Sequence, residues 1–192
     1  MKTISQDNYN TFYYINSCDG YNESGKLPDR LVSLLKYLSS GLSVLDIGCG
    51  RGEIAKALTD RFVISIDYSL ASMALFHKNN DINSINRTYI RHDVSNGLAW
   101  LSSDFFDTII LADIIEHVYD DTLSILASES VRLLKKGGLI LIDTPISTRE
   151  SFLHVNIKKS VQCVVDVFKG TELVISEWYK EPEHCHIILR KI

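Results

Sequence analysis

The stretch VLDIGCGRG, residues 44–52, decides the fold. Val44 to Ile47 read as a buried strand broken only by Asp46. Gly48, Gly50 and Gly52 then interrupt the apolar pattern before Ile54, Ala57 and Leu58 resume it at helical spacing. Glycine enters left-handed backbone conformations without steric cost, so a strand running into three glycines turns sharply and lets a ligand come close to the main chain. In open α/β folds such approaches occur at the carboxyl ends of the strands, which makes this loop a candidate cofactor site.

Outward from that loop, Phe62 to Ile66, Thr88 to Ile90, Thr108 to Ala112 and Leu139 to Ile142 are short runs, apolar almost throughout, separated by amphipathic stretches. The clearest of these carries Leu123, Leu126, Ser130, Leu133 and Leu134 on one helical face, with Gly137 and Gly138 expected to stop it. Strands apolar on both sides, alternating with helices, imply a parallel sheet covered on both faces. Right-handed crossovers then give a doubly wound, Rossmann-like α/β fold. In the tail, Ile157, Val161, Val164, Val165 and Phe168 suggest one more helix. Glu172 to Trp178 and Cys185 to Arg190 follow as two strands whose gap is too short for a crossover helix. The expectation is a mostly parallel sheet of about seven strands with an antiparallel last strand. After Pro28, Leu31, Leu34, Leu35 and Leu38 mark a first helix ended by Ser39, Ser40 and Gly41. Residues 1–40 are expected to form an N-terminal arm and first helix acting as a cap, and residues 41–192 the main domain.

The 192 residues carry a net charge of -4, so no general basic field draws the chain to nucleic acid or anionic lipid, and a small-molecule partner is the expectation. Cys18, Cys49, Cys163 and Cys185 form no Cys-x-x-Cys pair, which suits reduced thiols. The start MKTISQDNYN lacks an apolar leader, and no run approaches the ~20 apolar residues of a membrane span. A cytoplasmic monomer or homodimer is therefore expected.

Asp67 ends the second strand nineteen residues after Gly48, the spacing at which a carboxylate accepts both hydroxyl protons of an adenosine ribose. It also suits capping of the helix that follows. The register Gly-x-Gly-x-Gly is not the Gly-x-Gly-x-x-Gly that opens a helix N-terminus to a pyrophosphate. Asp46, just ahead of it, would repel a diphosphate and favour an ammonium group. S-adenosylmethionine has the ribose, an amino group, a sulfonium and no phosphate.

VLDIGCGRG, SIDYS (65–69), RHDV (91–94), FDTIILADIIEHV (106–118) and LLKKGGLILIDTP (133–145), in this order, resemble the motifs of class I S-adenosylmethionine-dependent methyltransferases. The resemblance implies that Asp46, Gly48, Cys49 and Gly50 hold the methionine moiety and Asp67 the ribose. Tyr68 would flank the adenine, Asp93 with Val94 would meet its edge, and Ala112 with Asp113 would line the cofactor. Asp107 is expected to be structural. S-adenosyl-L-homocysteine would be the product.

Transfer from a sulfonium leaves a neutral thioether, so positioning carries much of the barrier reduction, while a hydroxyl acceptor must still lose its proton. Asp113, Glu116 and His117 follow the fourth strand and would share one turn if that segment is helical, which makes His117 the candidate base and Glu116 its partner. The segment also resembles the Glu-His element of quinone-type O-methyltransferases and of small-RNA 3′-terminal 2′-O-methyltransferases, some of which bind a divalent metal. The ligands implied here are Glu116, His117 and His154, with Asp113 standing where a longer carboxylate would be expected. No Asn-Pro-Pro-Tyr and no Pro-Cys occurs, which disfavours amide or nucleobase nitrogen and the cysteine-adduct route to cytosine. His184 and His186 lie on one face of the last strand, where a solvated edge explains them as well as a ligand would. The expectation is methyl transfer to a hydroxyl of a small molecule such as a sugar or secondary metabolite. An RNA ribose methyltransferase with a divalent metal, and a cofactor-binding subunit without turnover, are the alternatives.

Overall fold

The structure, a computed structural model, describes residues 27–81, 84–145, 164, 166–168, 172–180 and 184–192. Seven strands form one sheet: β1 (Ser43–Ile47), β2 (Phe62–Asp67), β3 (Arg87–Arg91), β4 (Phe106–Ala112), β5 (Leu134–Pro145), β6 (Leu173–Lys180) and β7 (His184–Lys191). Their order is β3-β2-β1-β4-β5-β7-β6. The first five pair in parallel, and β7 runs antiparallel to both its neighbours. The order reverses at β1, so the ends of β1 and β4 open the crevice at which such sheets bind ligands.

Strand periodicity sorts the core into two layers. Leu45, Ile47, Ile109, Leu111, Ile140, Ile142, Ile187 and Leu189 face α4 (Asp120–Leu133) through Leu123, Leu126 and Leu133. Val44, Val63, Ile110, Leu139, Leu141 and Ile188 face the other side. There they meet Leu31 and Leu34 of α1 (Asp29–Leu35), Ile54 and Ala55 of α2 (Glu53–Ala57), and Phe76 of α3 (Leu70–Asn79). Asp46, Asp143 and His186 belong by parity to this second face, so the polar groups that matter below all point towards the α1 side.

Two boundaries differ from the sequence expectation. The helix read through Leu134 ends at Leu133, and Leu134 already begins β5. Gly137 and Gly138 therefore lie inside a strand instead of stopping a helix. Phe106 pairs with Leu134 and Thr108 with Leu139, so the extra residues of β5 bulge out, with Gly137 at φ 80° absorbing the bend. The first helix closes at Leu35, not Leu38: Lys36, Tyr37 and Leu38 donate to carbonyls three residues back, the tightened bonding common at helix ends. In the tail helix, Val164 and residues 166–167 are helical, and Val164 and Phe168 are buried in the α4-side core. The rest of that reading lies outside the described residues.

Candidate functional site

The loop after β1 is held by main-chain bonds, and its glycines take left-handed conformations. Gly48 and Cys49 donate to the carbonyl of Ile66 at 2.8 and 3.1 Å, folding the loop over the end of β2. Gly48, Gly50 and Gly52 sit at φ 76°, 52° and 75°, the left-handed region. A Cβ on Gly48 would come within 2.9 Å of the Ile114 side chain, so the segment leaving β4 packs directly on this loop.

Asp46 points beneath the loop and is 1% exposed. Its Oδ2 finds no hydrogen-bond donor among the described residues. Burial, with Glu53 and Asp67 nearby, pushes its carboxyl up to about 8. A buried oxygen that waits for a donor is costly in the empty fold and suits a ligand that brings an ammonium group. Burial likewise raises the Cys49 thiol, so this side chain fits as a small residue and is no nucleophile.

Asp67, at the end of β2, accepts from Gly50 N at 3.0 Å through Oδ2 and from Ser69 N at 2.8 Å through Oδ1. The cap of α3 is Ser69, whose Oγ accepts from Ser72 N at 3.1 Å. Tyr68 follows, part-buried, its carbonyl held by Arg91 Nε at 3.0 Å. Asp93 is exposed and its Oδ1 accepts from Ser95 N at 3.0 Å, capping a short 3₁₀ turn that begins at the part-buried Val94. Ala112 closes β4, and Asp113 leaves it at φ 52°. All these residues stand at the carboxyl ends of β1 to β4. Asp107 lies at the opposite end, where it accepts from Ser43 N and Lys135 Nζ, both at 3.0 Å.

The segment after Asp113 is not one helical turn. Asp113 stays outside it in a left-handed conformation, and only Ile115–His117 form a 3₁₀ turn. Glu116 is 4% exposed and accepts from Thr144 Oγ1 at 3.4 Å. Burial, then the charge of Asp113, pushes its carboxyl well above the usual range. His117 Nε2 stands 3.9 Å from Glu116 Oε1. The Glu116 carboxyl is turned towards Thr144, no third potential ligand gathers around Glu116 and His117 among the described residues, and His154 lies outside those residues.

The polar centre that sequence reasoning missed is Asp143, wholly buried near the end of β5. Arg30 of α1 hydrogen-bonds both Asp143 and Asp113, joining the ends of two strands. His184 Nδ1 lies 3.2 Å from Asp143 Oδ2, and His186 Nε2 lies 2.8 Å from Oδ1. These histidines are not on a solvated edge: β6 covers the outer side of β7, and His186 is 0% exposed. Asp113, Asp143 and His184 bring donor atoms within 4.8 Å of one another, yet Arg30 already places a cation against both carboxylates. The available signal was the parity shared by His184 and His186, which fixes a common face without saying what covers it.

A family model described as a methyltransferase domain matches residues 44–138, which contain the loop, Asp67 and the 3₁₀ turn. The chain belongs to the class I S-adenosylmethionine-dependent methyltransferases. S-adenosylmethionine is the cofactor that goes with this family. A "Probable S-adenosylmethionine-dependent methyltransferase" of Mycolicibacterium smegmatis is 33% identical over 116 residues, 58% of this chain and 41% of the relative. A ubiquinone biosynthesis O-methyltransferase of Pelagibacter ubique is 31% identical over 116 residues, 58% of this chain and 45% of the relative. The chain thus spans less than half the length of these curated relatives. Among solved structures, the N-methyltransferase NodS of Bradyrhizobium japonicum in complex with S-adenosyl-L-homocysteine superposes with a TM-score of 0.68 at 18% identity, over 85% of this chain and 86% of that one. That likeness is one of fold. No helix among the described residues is long and apolar enough to cross a membrane.

Proposed function

We propose that this methyltransferase-family chain transfers the methyl group of S-adenosylmethionine to a hydroxyl of a small molecule. The observation that carries the cofactor side is Asp46 Oδ2, buried beneath the glycine loop with no donor. In this reading Asp46, Gly48, Cys49 and Gly50 receive the methionine end, Asp67 the ribose, Tyr68, Asp93 and Val94 the adenine, and Ala112 and Asp113 the far wall. Asp67 shapes the loop through Gly50 N, at the end of β2 beside the segment assigned to the methionine end.

When bound, S-adenosylmethionine supplies a methyl carbon on a sulfonium, and the protein has only to align the acceptor and remove its proton. Two imidazoles stand at the relevant edge: His117 beside Glu116, as the sequence suggests, and His184 beside Asp143. The O-methyltransferase relatives and the net charge of -4 support a small hydroxyl acceptor over RNA. The free thiol of Cys49 supports a cytoplasmic setting. The N-terminal segment, through Arg30, is assigned as a cap over the β4 and β5 ends.

The test pairs calorimetry on S-adenosyl-L-homocysteine with radiolabelled methyl transfer to low-mass metabolite and RNA fractions, each with and without chelator. Binding together with label in a low-mass hydroxyl product that survives chelation supports the reading. Label confined to RNA, loss on chelation, or absence of binding overturns it.

A further inference from the structure

The proposal concerns the proton, and it rests on the hydroxyl-methylation reading above. We propose that His184 is the base that receives the acceptor's hydroxyl proton, and that Asp143 is the positioning residue that orients it.

The antiparallel register sets Asp143 directly against His186, and His184 follows two positions away on the same face. Asp143 therefore meets one imidazole at each oxygen, His184 at 3.2 Å and His186 at 2.8 Å. The two histidines differ in access. The His186 side chain is 0% exposed, whereas that of His184 is 21% exposed, so only His184 can meet a ligand. A carboxylate 3.2 Å from Nδ1 favours the neutral tautomer that carries its proton on Nδ1 and leaves the Nε2 lone pair for a ligand. Asp–His pairs use this division of labour in general base catalysis.

Position agrees with the role. His184 Nδ1 is 3.9 Å from Asp113 Oδ1, and the next residue, Ile114, is the one packed on Gly48 of the glycine loop. His184 thus borders the wall of the crevice assigned to the cofactor, from a strand that the family match at residues 44–138 does not reach. His117 is less well provided: its neighbouring carboxyl is 3.9 Å away, against 3.2 Å for the Asp143 carboxyl beside His184, and burial pushes that Glu116 carboxyl up. Burial alone would raise Asp143, but the adjacent His184 and His186 imidazoles and the Arg30 guanidinium outweigh it and hold this carboxyl below its ordinary range. Among the described residues, Arg30, Asp113, Glu116 and His186 are other charged or titratable groups near the pair.

In the step assigned here, the acceptor oxygen forms its bond to the methyl carbon as the carbon–sulfur bond breaks. The pair of electrons from that bond stays on sulfur as a neutral thioether. The hydroxyl proton passes to His184 Nε2, and the imidazolium later returns it to solvent.

Two measurements test this on the full chain. Long-range proton–nitrogen NMR of histidine-labelled protein, with His184 assigned by its absence in His184→Gln, should show neutral His184 protonated at Nδ1. Protonation at Nε2 overturns the proposal whether or not an acceptor is in hand. In radiolabel transfer to the low-mass metabolite pool, His184→Ala should lose about 10²- to 10⁴-fold in rate. It should still bind S-adenosyl-L-homocysteine as the parent does. Transfer by His184→Ala within about threefold of the parent overturns the proposal while leaving hydroxyl methylation intact. Failure of the parent to bind S-adenosyl-L-homocysteine overturns the broader reading instead.

Discussion

Asp46→Asn separates the electrostatics of the cofactor loop from its shape. Asp46 is 1% exposed and its carboxyl is pushed from 3.8 up to about 8, by burial first and by Glu53 and Asp67 after it. The native chain therefore holds a proton between about pH 4 and about pH 8 that the unfolded chain has released, and native stability falls as pH rises through that window. At 1.36 kcal/mol per pH unit the loss reaches on the order of 5 kcal/mol near pH 8. Asn keeps the shape without the charge. The parent melting temperature should therefore drop between pH 5 and pH 8 by roughly 10 °C more than that of Asp46→Asn. Ligand binding should run the other way, because an ammonium group selects ionised Asp46. Only about 1% of the sites are ionised at pH 6 and about half at pH 8, so the Kd for S-adenosyl-L-homocysteine should tighten about 50-fold over that range. Isothermal calorimetry at pH 6, 7 and 8, paired with melting curves of both proteins, measures both effects. Parallel melting profiles for parent and variant, or a parent Kd that does not change with pH, would refute the assignment of a buried, cofactor-waiting carboxylate.

Asp67→Ala should abolish the thermal stabilisation given by S-adenosyl-L-homocysteine, and full stabilisation in that variant would remove the ribose assignment. Gly52→Ala should destabilise by about 1–3 kcal/mol in a urea melt, since φ is 75° and the new Cβ would lie 2.3 Å from the Phe76 ring. A variant as stable as the parent would show that the loop relaxes freely. Asp107 is held below its ordinary range: burial raises it, but the Ser43 and Lys135 hydrogen bonds prevail. Its contribution is therefore present above about pH 4 and fades as pH falls through its lowered value. Asp107→Asn should cost about 1–2 kcal/mol at pH 7. The deficit should shrink in acid while S-adenosyl-L-homocysteine affinity is unchanged, and an affinity loss would contradict a purely structural role.

The sheet was readable in the sequence because its inner strands are buried on both faces, so Val44 to Ile47 and Thr108 to Ala112 stand out without any tertiary information. The glycine loop was readable because its backbone conformations restrict residue type. The start of β5 was not: Gly137 and Gly138 look the same whether they end a helix or bend a strand, and only pairing with Phe106 and Thr108 distinguishes the two. The Asp143 centre was hidden for a related reason. Arg30 and Asp143 are 113 residues apart, and His184 reads as exposed until β6 is known to lie outside β7. Polar clusters assembled from distant strands carry no local period.

The bulge in β5 has a consequence for how this chain tolerates change. Between Thr108 opposite Leu139 and Ala112 opposite Asp143 the ladder is unbroken, while every surplus residue is taken up earlier, around Lys135 to Gly138. Lengthening or shortening the connection there alters the floor of the molecule and leaves Asp143 at the same height above it, so indels at that point act like a shim under a fixed bench.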